Sequence, residues 1–275
     1  MALAKKIIHP LDKYLRSDRL PHIWCPGCGI GIALAALLRG IDRRINEGKL
    51  NRNKLVFVTG IGCSARVSFY VDFDSAHTLH GRAIPFAAGV KLANPSLEVI
   101  VVGGDGDIAG IGGNHLLHAA RRNLDLFVVM ITNFVYAMTG GQLAPTTPLR
   151  VYTTTTPYGN PEPPLNVIKL VASLNANYVA RASVTTPHYI ESFTYKALGM
   201  KGFRFLEVVS TCPEVYGRHI GLRNPVAMLE ELKKKVIYKA HPVVDESDID
   251  WDKGIVIGEY VVRNNPSYLD LIKRG

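Results

Sequence analysis

The sequence predicts an α/β fold on a parallel sheet with helices on both faces. Two observations carry this: the apolar, β-branched runs Leu55–Thr59, Val99–Val102 and Leu126–Ile131 each end in a glycine-rich or polar loop, and helix-forming stretches lie between them. Buried parallel strands read as continuous hydrophobic runs, and strands that alternate with helices build a parallel sheet. At 275 residues, 47% hydrophobic and 20% charged, the chain can bury a large core, which excludes disorder, collagen and coiled coil.

In chain order, a glycine-rich turn after Cys25 and Cys28 opens a helix over Gly29–Arg39. The strand Leu55–Thr59 delivers the loop Gly60-Ile-Gly-Cys-Ser64, and a helix over Ala83–Leu92 follows the His80-Gly-Arg82 turn. Val99–Val102 runs into Gly103-Gly-Asp-Gly-Asp107, a helix over Gly113–Arg122 follows, and Leu126–Ile131 ends at Thr132-Asn133. The stretch Gly140–Pro164, rich in Thr, Pro and Gly, is too long for a routine connection and is expected to lie over the site as a functional loop. Then come Val167–Leu174, the strand Tyr178–Arg181, a helix over Pro187–Leu198 and the strand Phe203–Val209, which leads to Cys212. A basic helix over Pro225–Lys239, an acidic patch from Asp245 to Asp252 and a strand over Ile255–Val262 close the chain. With no repeat or linker, residues 1–223 read as one domain and 224–275 as a C-terminal extension packed on it.

Ligands of open parallel sheets collect outside the carboxyl ends of the strands, so these loops should share one site. Gly104-Asp105-Gly106 alone reads as a strand-to-turn junction; with Asn133 at the end of the next strand it acquires chemistry. Glycines let backbone approach a diphosphate, and the oxygens of Asp105 and Asn133 are hard ligands for Mg²⁺. A helix starting after Asp107 turns its amides toward the same anion. The cysteines Cys25, Cys28, Cys63 and Cys212 stand near the same edge, two at a helix start, where amide donors lower a thiol pKa, and two just past strand ends. A cluster, a structural zinc site or plain packing are the three readings.

The net charge, 32 Lys+Arg against 23 Asp+Glu or +9, favours an acidic partner or an anionic cofactor. The first ten residues lack the apolar region of a signal peptide, and no run reaches the roughly 20 apolar residues of a membrane span. The expected location is the cytoplasm, with no membrane association, where cysteines are read first as metal ligands.

Cys25-Pro-Gly-Cys-Gly29, Gly60-Ile-Gly-Cys-Ser64, His77-Thr-Leu-His-Gly-Arg82, Gly103-Gly-Asp-Gly-Asp107 and Thr211-Cys-Pro213 together resemble the β subunit of 2-oxoacid:ferredoxin oxidoreductases, over residues 10 to 220. The resemblance implies a thiamine-diphosphate-binding fold, with Mg²⁺ held by Asp105, Asn133 and the carbonyl of Val135. It also implies that Ile61, Gly62, Cys63 and Ser64, Thr78, Leu79, His80 and Gly81, Gly104, Gly106 and Asp107, and Ala137 with Met138 line the cofactor. Cys25, Cys28, Cys63 and Cys212 would ligate a 4Fe–4S cluster. The implied reaction is oxidative decarboxylation with acyl transfer to coenzyme A and electrons passed to ferredoxin.

Thiamine needs a carboxylate on its aminopyrimidine ring, and none of Glu47, Glu98, Glu162, Glu191 or Glu207 stands in a suitable context. An α subunit is therefore expected to supply the pyrimidine half and the activating glutamate, with further small subunits, one of them ferredoxin-like. His80 is the candidate for proton transfer at the reacting carbon; Arg82 serves either an anion or a salt bridge, and His77, His115 and His118 read as packing. Tyr136 and Gln142 flank the site loop without a spacing argument. The segment Tyr136–Pro148, with Leu11–Leu15 and Pro21–Cys25, looks most like the 2-oxoglutarate-specific, four-subunit members, although related forms carry lysine at the position of Gly140 or Gly141. Pyruvate, branched-chain and arylpyruvate substrates are the alternatives, as is a non-redox thiamine decarboxylase or carboligase. A zinc-stabilised nucleic-acid-binding protein leaves the Gly-Asp-Gly to Asn spacing unexplained, and the basic residues are scattered rather than interleaved with aromatics, so no nucleic-acid partner is expected.

Overall fold

The computed structural model describes residues 9–272. Its strands are β1 (Leu55–Thr59), β2 (Asp74–His77), β3 (Glu98–Gly104), β4 (Phe127–Thr132), β5 (Val135–Tyr136), β6 (Gln142–Leu143), β7 (Tyr178–Ser183), β8 (Arg204–Val209), β9 (Val236–Tyr238) and β10 (Ile255–Val262). β5 and β6 pair as a small hairpin, and the others form an eight-stranded sheet in the order β2-β1-β3-β4-β8-β7-β10-β9. Neighbours are parallel except β10 against β7. The antiparallel joint comes from the C-terminal stretch.

The helices are α1 (Ile30–Asn46), α2 (Val67–Tyr70), α3 (Ala83–Ala93), α4 (Gly113–Arg121), α5 (Val167–Ala172), α6 (Pro187–Ala197) and α7 (Pro225–Lys235), followed by a short turn of helix at Tyr268–Ile272. Side chains alternate across a strand, so each strand feeds two cores. Phe57, Ile100, Val102, Phe127, Val129 and Ile131 pack with α1, α6 and α7. Val58, Val99, Val101, Val128 and Met130 pack with α3, α4 and α5. Gly40 lets α1 meet α6 closely, since a Cβ there would lie 2.7 Å from the Glu191 carbonyl oxygen.

Three elements differ from the sequence reading for identifiable reasons. α1 runs past Arg39 to Asn46 because Ala36, Leu37, Leu38 and Ile41 prolong its buried stripe. The basic helix starts where Asn224 caps the Val226 and Ala227 amides and Pro225 stands at the first helical position. It stops at Lys235, because Val236–Tyr238 pairs with β10 as β9. β2 went unread because Asp-Ser-Ala-His is a polar, largely exposed edge strand with no apolar period.

Charges are buried at two levels of the sheet. Near the amino ends of β3, β4 and β8, Arg204 pairs with Glu98 at 2.8 Å and Asp125 at 3.1 Å, and Lys91 reaches Asp125 at 3.0 Å. Deeper in, Arg181 and Glu207, each 1% exposed, pair at 2.7 Å, and the Thr132 hydroxyl donates to Glu207 at 2.8 Å. Breaking a buried pair strands its partner's charge, which costs about 3–5 kcal/mol, whereas replacing both partners by apolar groups is near neutral. Glu207→Ala is therefore expected to lower unfolding stability by about that amount, and Arg181→Met with Glu207→Leu by much less. Urea unfolding of the three proteins checks both.

Candidate functional site

The site lies where the carboxyl ends of β1, β3 and β4 meet, with the turn after β2 beside them. Ile61, Gly62, Cys63, Ser64, His80, Gly104, Asp105, Gly106, Asp107, Asn133, Val135, Ala137 and Met138 line one cavity of about 140 Å³, joined by Tyr136 and Thr139. Sequence reasoning had assigned most of this wall. Thr78, Leu79 and Gly81 stand outside it: Thr78 donates through N and Oγ1 to the Thr59 carbonyl, Leu79 is 77% exposed, and the Gly81 amide donates to Asp107.

Asp105 is 1% exposed. Its Oδ1 accepts the Gly106 N–H at 3.0 Å, and its Oδ2 accepts the Phe134 N–H at 2.9 Å and the Thr146 hydroxyl. Burial pushes this carboxyl up to about 6, against the pull of those donors. A divalent cation offsets that desolvation, so a hard, buried oxygen donor beside the Asn133 amide and the Val135 carbonyl suits Mg²⁺. Phe134, between the last two, is held at φ +70, a conformation that costs a non-glycine residue roughly 1–3 kcal/mol. The Thr147 hydroxyl donates to its carbonyl at 2.5 Å, and its ring is buried against Tyr216 and Trp251 at 5.0 and 5.9 Å.

The helical run from Gly106 starts immediately after Asp105, whose carboxylate accepts its first amide, and continues through a π-helical turn into α4. Gly106 lines the cavity and also makes room for a neighbouring ring. A Cβ there would lie 2.3 Å from the Tyr136 ring, and the Tyr136 hydroxyl donates to the Gly106 carbonyl at 3.2 Å. Tyr136 is thus a wall residue that spacing could not reveal. Thr146 and Thr147 carry no sequence signal either, yet they brace Asp105 and the turn at Phe134. Within the Gly140–Pro164 stretch, the Asn160 amide donates to the Thr147 carbonyl at 2.8 Å, whereas Leu149, Arg150 and Val151 border a neighbouring cavity with Trp251. Gln142 is occupied with Thr139.

Thr146→Val removes a hydroxyl donor to Asp105 while keeping shape. Loss of such a supporting partner is expected to weaken Mg²⁺-dependent cofactor binding by about 10–100-fold, with Thr146→Ser close to wild type, as titration calorimetry would show.

Backbone ties bring the four cysteines into one region. The Trp24 indole donates to the Cys63 carbonyl at 2.8 Å, the Gly29 N–H to the Thr211 carbonyl at 3.1 Å, and the Thr211 hydroxyl to the Gly27 carbonyl at 2.8 Å. The electrostatic field of Cys28 includes Cys212, Cys63 and Cys25. Among the described residues, no three His, Cys, Asp or Glu side chains stand ready-made around a metal position. The helix-start amides were expected to lower the thiol pKa of this pair. Burial overrides them: Cys28 is pushed up to about 12, and Cys63 and Cys212 also rise. Thiolates at such positions require positive charge beside them, which iron or zinc supplies.

His77, His115 and Arg82 find local partners. His77 Nδ1 meets the Thr59 hydroxyl at 3.0 Å, and Arg82 meets His115 at 3.2 Å. His118 Nδ1 is buried without a hydrogen-bond partner. Among the described residues no glutamate lines the cavity, and no described helix is long and apolar enough to cross a membrane.

A parallel sheet with an acidic, glycine-lined cavity at its carboxyl edge defines a diphosphate-binding domain of the thiamine type. Residues 60–208 match the family described as thiamine pyrophosphate enzyme, C-terminal TPP binding domain. The chain is 44% identical over 265 residues to the 2-oxoglutarate synthase subunit KorB of Methanothermobacter marburgensis, covering 96% of this chain and 91% of that one. It is 40% identical over 232 residues to the 2-oxoacid:ferredoxin oxidoreductase subunit beta of Saccharolobus solfataricus, covering 83% and 70%. Among solved structures, the 2-oxoglutarate:ferredoxin oxidoreductase from Magnetococcus marinus with 2-oxoglutarate, coenzyme A and succinyl-CoA bound superposes with a TM-score of 0.85 at 29% identity, over 98% of this chain and 91% of that one. The chain belongs to the β subunits of the 2-oxoacid:ferredoxin oxidoreductases and is a subunit of a thiamine-diphosphate-dependent oxidoreductase.

Proposed function

We propose that this chain is the cofactor- and cluster-bearing subunit of an enzyme that converts 2-oxoglutarate, with coenzyme A, to succinyl-CoA and passes two electrons through a 4Fe–4S cluster to ferredoxin. The observation that carries this reading is the double position of Cys63. It lines the diphosphate cavity, and its backbone is tied to Trp24, next to Cys25. An electron acceptor ligated there would stand at the wall of the cavity in which the carbon is oxidised.

In this reading Asp105, Asn133 and the Val135 carbonyl hold Mg²⁺, and the Gly106 turn with the loop Ile61–Ser64 holds the diphosphate. Bound thiamine supplies an electron sink for the carbon that loses carbon dioxide. Cys25, Cys28, Cys63 and Cys212 hold the cluster. The cavity wall without a glutamate fits a partner α subunit that brings the pyrimidine side. The exposed Leu79, Ile111, Met138 and Ile61, 77%, 50%, 40% and 38% accessible, give it an apolar surface to cover. A further ferredoxin-like small subunit and the reducing cytoplasm complete the setting. The basic surface suits an acidic electron carrier.

Anaerobic purification with co-purifying chains, followed by iron, acid-labile sulfide and thiamine analysis, tests the reading. About four iron and four sulfide per chain are expected, with ferredoxin reduction that requires both 2-oxoglutarate and coenzyme A. Zinc, or a chain that purifies alone without thiamine, would defeat it.

A further inference from the structure

The second aspartate of Gly-Asp-Gly-Asp makes contacts that cofactor binding alone does not call for. Asp107 is 2% exposed and reaches two loops at once. Its Oδ1 accepts the Gly81 N–H at 2.7 Å and the Ile61 N–H at 3.3 Å, and stands 2.7 Å from His80 Nδ1. Its Oδ2 is buried without a hydrogen-bond partner. The chain makes room for that oxygen twice: a Cβ on Gly60 would lie 2.2 Å from it, and a Cβ on Gly103 2.8 Å. These two glycines are fixed by a side chain rather than by a turn.

A residue that only pins loops together gains nothing from a second oxygen left unpaired in the interior, where an unsatisfied polar group costs free energy. The oxygen of an asparagine would accept the same two backbone N–H groups. A carboxylate adds negative charge, and it is an acceptor at both oxygens. The neighbouring His80 Nδ1 therefore carries the hydrogen, and Nε2 is left as the ring nitrogen with the lone pair. His80 lines the cavity beside Ser64, Asp105 and Asn133, with its ring edge-on to Tyr136 at 6.0 Å.

We propose that Asp107 is a positioning residue for His80, holding the imidazole in the Nδ1–H form so that Nε2 is the proton-accepting atom of the cavity. This rests on the reading of the cavity as the thiamine-diphosphate site. A proton released by a ligand bound there passes to Nε2, the ligand keeps the electron pair, and the imidazolium faces the Asp107 carboxylate across 2.7 Å. Because the same oxygen ties Ile61 to Gly81, ring orientation and loop closure are set at a single atom.

The test uses the assembled complex with Asp107→Asn, His80→Gln and the double variant. It measures turnover, thiamine diphosphate binding with Mg²⁺ by calorimetry, and the ¹⁵N spectrum of histidine-labelled protein. In the wild type the His80 signals should show Nδ1 protonated and Nε2 bare. His80→Gln should cost about 10²-fold in turnover and Asp107→Asn about 10–100-fold. Adding Asp107→Asn to His80→Gln should cost nothing more, since residues that act as a unit are not additive. Equal losses from Asp107→Asn in both backgrounds would make Asp107 a loop pin and overturn the proposal. A wild-type His80 protonated at Nε2 instead would overturn it as well. A wild-type complex that binds no thiamine diphosphate would defeat the functional reading instead, and the ¹⁵N spectrum would still decide the role of Asp107.

Discussion

Asp105→Ala is expected to abolish retention of thiamine diphosphate, lowering Mg²⁺-dependent affinity by more than the roughly 10–100-fold typical of losing a supporting partner. The carboxylate is both a metal ligand in our reading and the acceptor that holds the Phe134 amide and the Thr146 hydroxyl. Its removal therefore strips a ligand and releases the turn that carries Asn133 and Val135. The pH dependence has a definite sign. Burial holds this carboxyl at about 6, and metal binding requires the deprotonated form, so affinity should rise with pH through that region and level off above it. Calorimetric titration at a series of pH values checks both. Affinity in Asp105→Ala equal to wild type would remove the Mg²⁺ assignment.

The second large effect is expected from Cys212→Ser. Cys212 is buried beside the turn that follows β8, and burial raises its thiol pKa, as it does for Cys28 and Cys63. A serine there offers a poor ligand in a site built for thiolates. The complex should lose the iron of this subunit's cluster and nearly all ferredoxin reduction while still binding thiamine diphosphate, whose cavity Cys212 does not line. Iron analysis with electron paramagnetic resonance of the reduced complex reads the first, and a ferredoxin reduction assay the second. Unaltered turnover would exclude a cluster at these four residues from the electron path.

The central sheet and the loops at its carboxyl edge were legible because buried parallel strands write continuous apolar runs and the loops carry glycine and oxygen ligands at fixed strand ends. Edge elements were not. Asp74–His77 is polar on both sides, and Val236–Tyr238 continues a helical pattern until β10 captures it. At the site, most of the cavity lining was readable and its support was not. Thr146 and Thr147 reach Asp105 and Phe134 from another segment, and Tyr136 occupies the space that Gly106 leaves. Such contacts depend on three-dimensional closure, which leaves no period in the chain. The thiol pKa was misjudged for the same reason: the helix amides are local and visible, whereas the desolvation comes from the assembled core.

The left-handed Phe134 has a consequence for biosynthesis. Its ring is secured by Tyr216 and Trp251, 82 and 117 positions further along the chain. While the ribosome is still synthesising those stretches, the strained turn between Asn133 and Val135 has its hydrogen bonds to Asp105 and Thr147 but not the packing of its ring. A chain shorter than Trp251 therefore lacks the ring packing that helps hold the turn in its left-handed form.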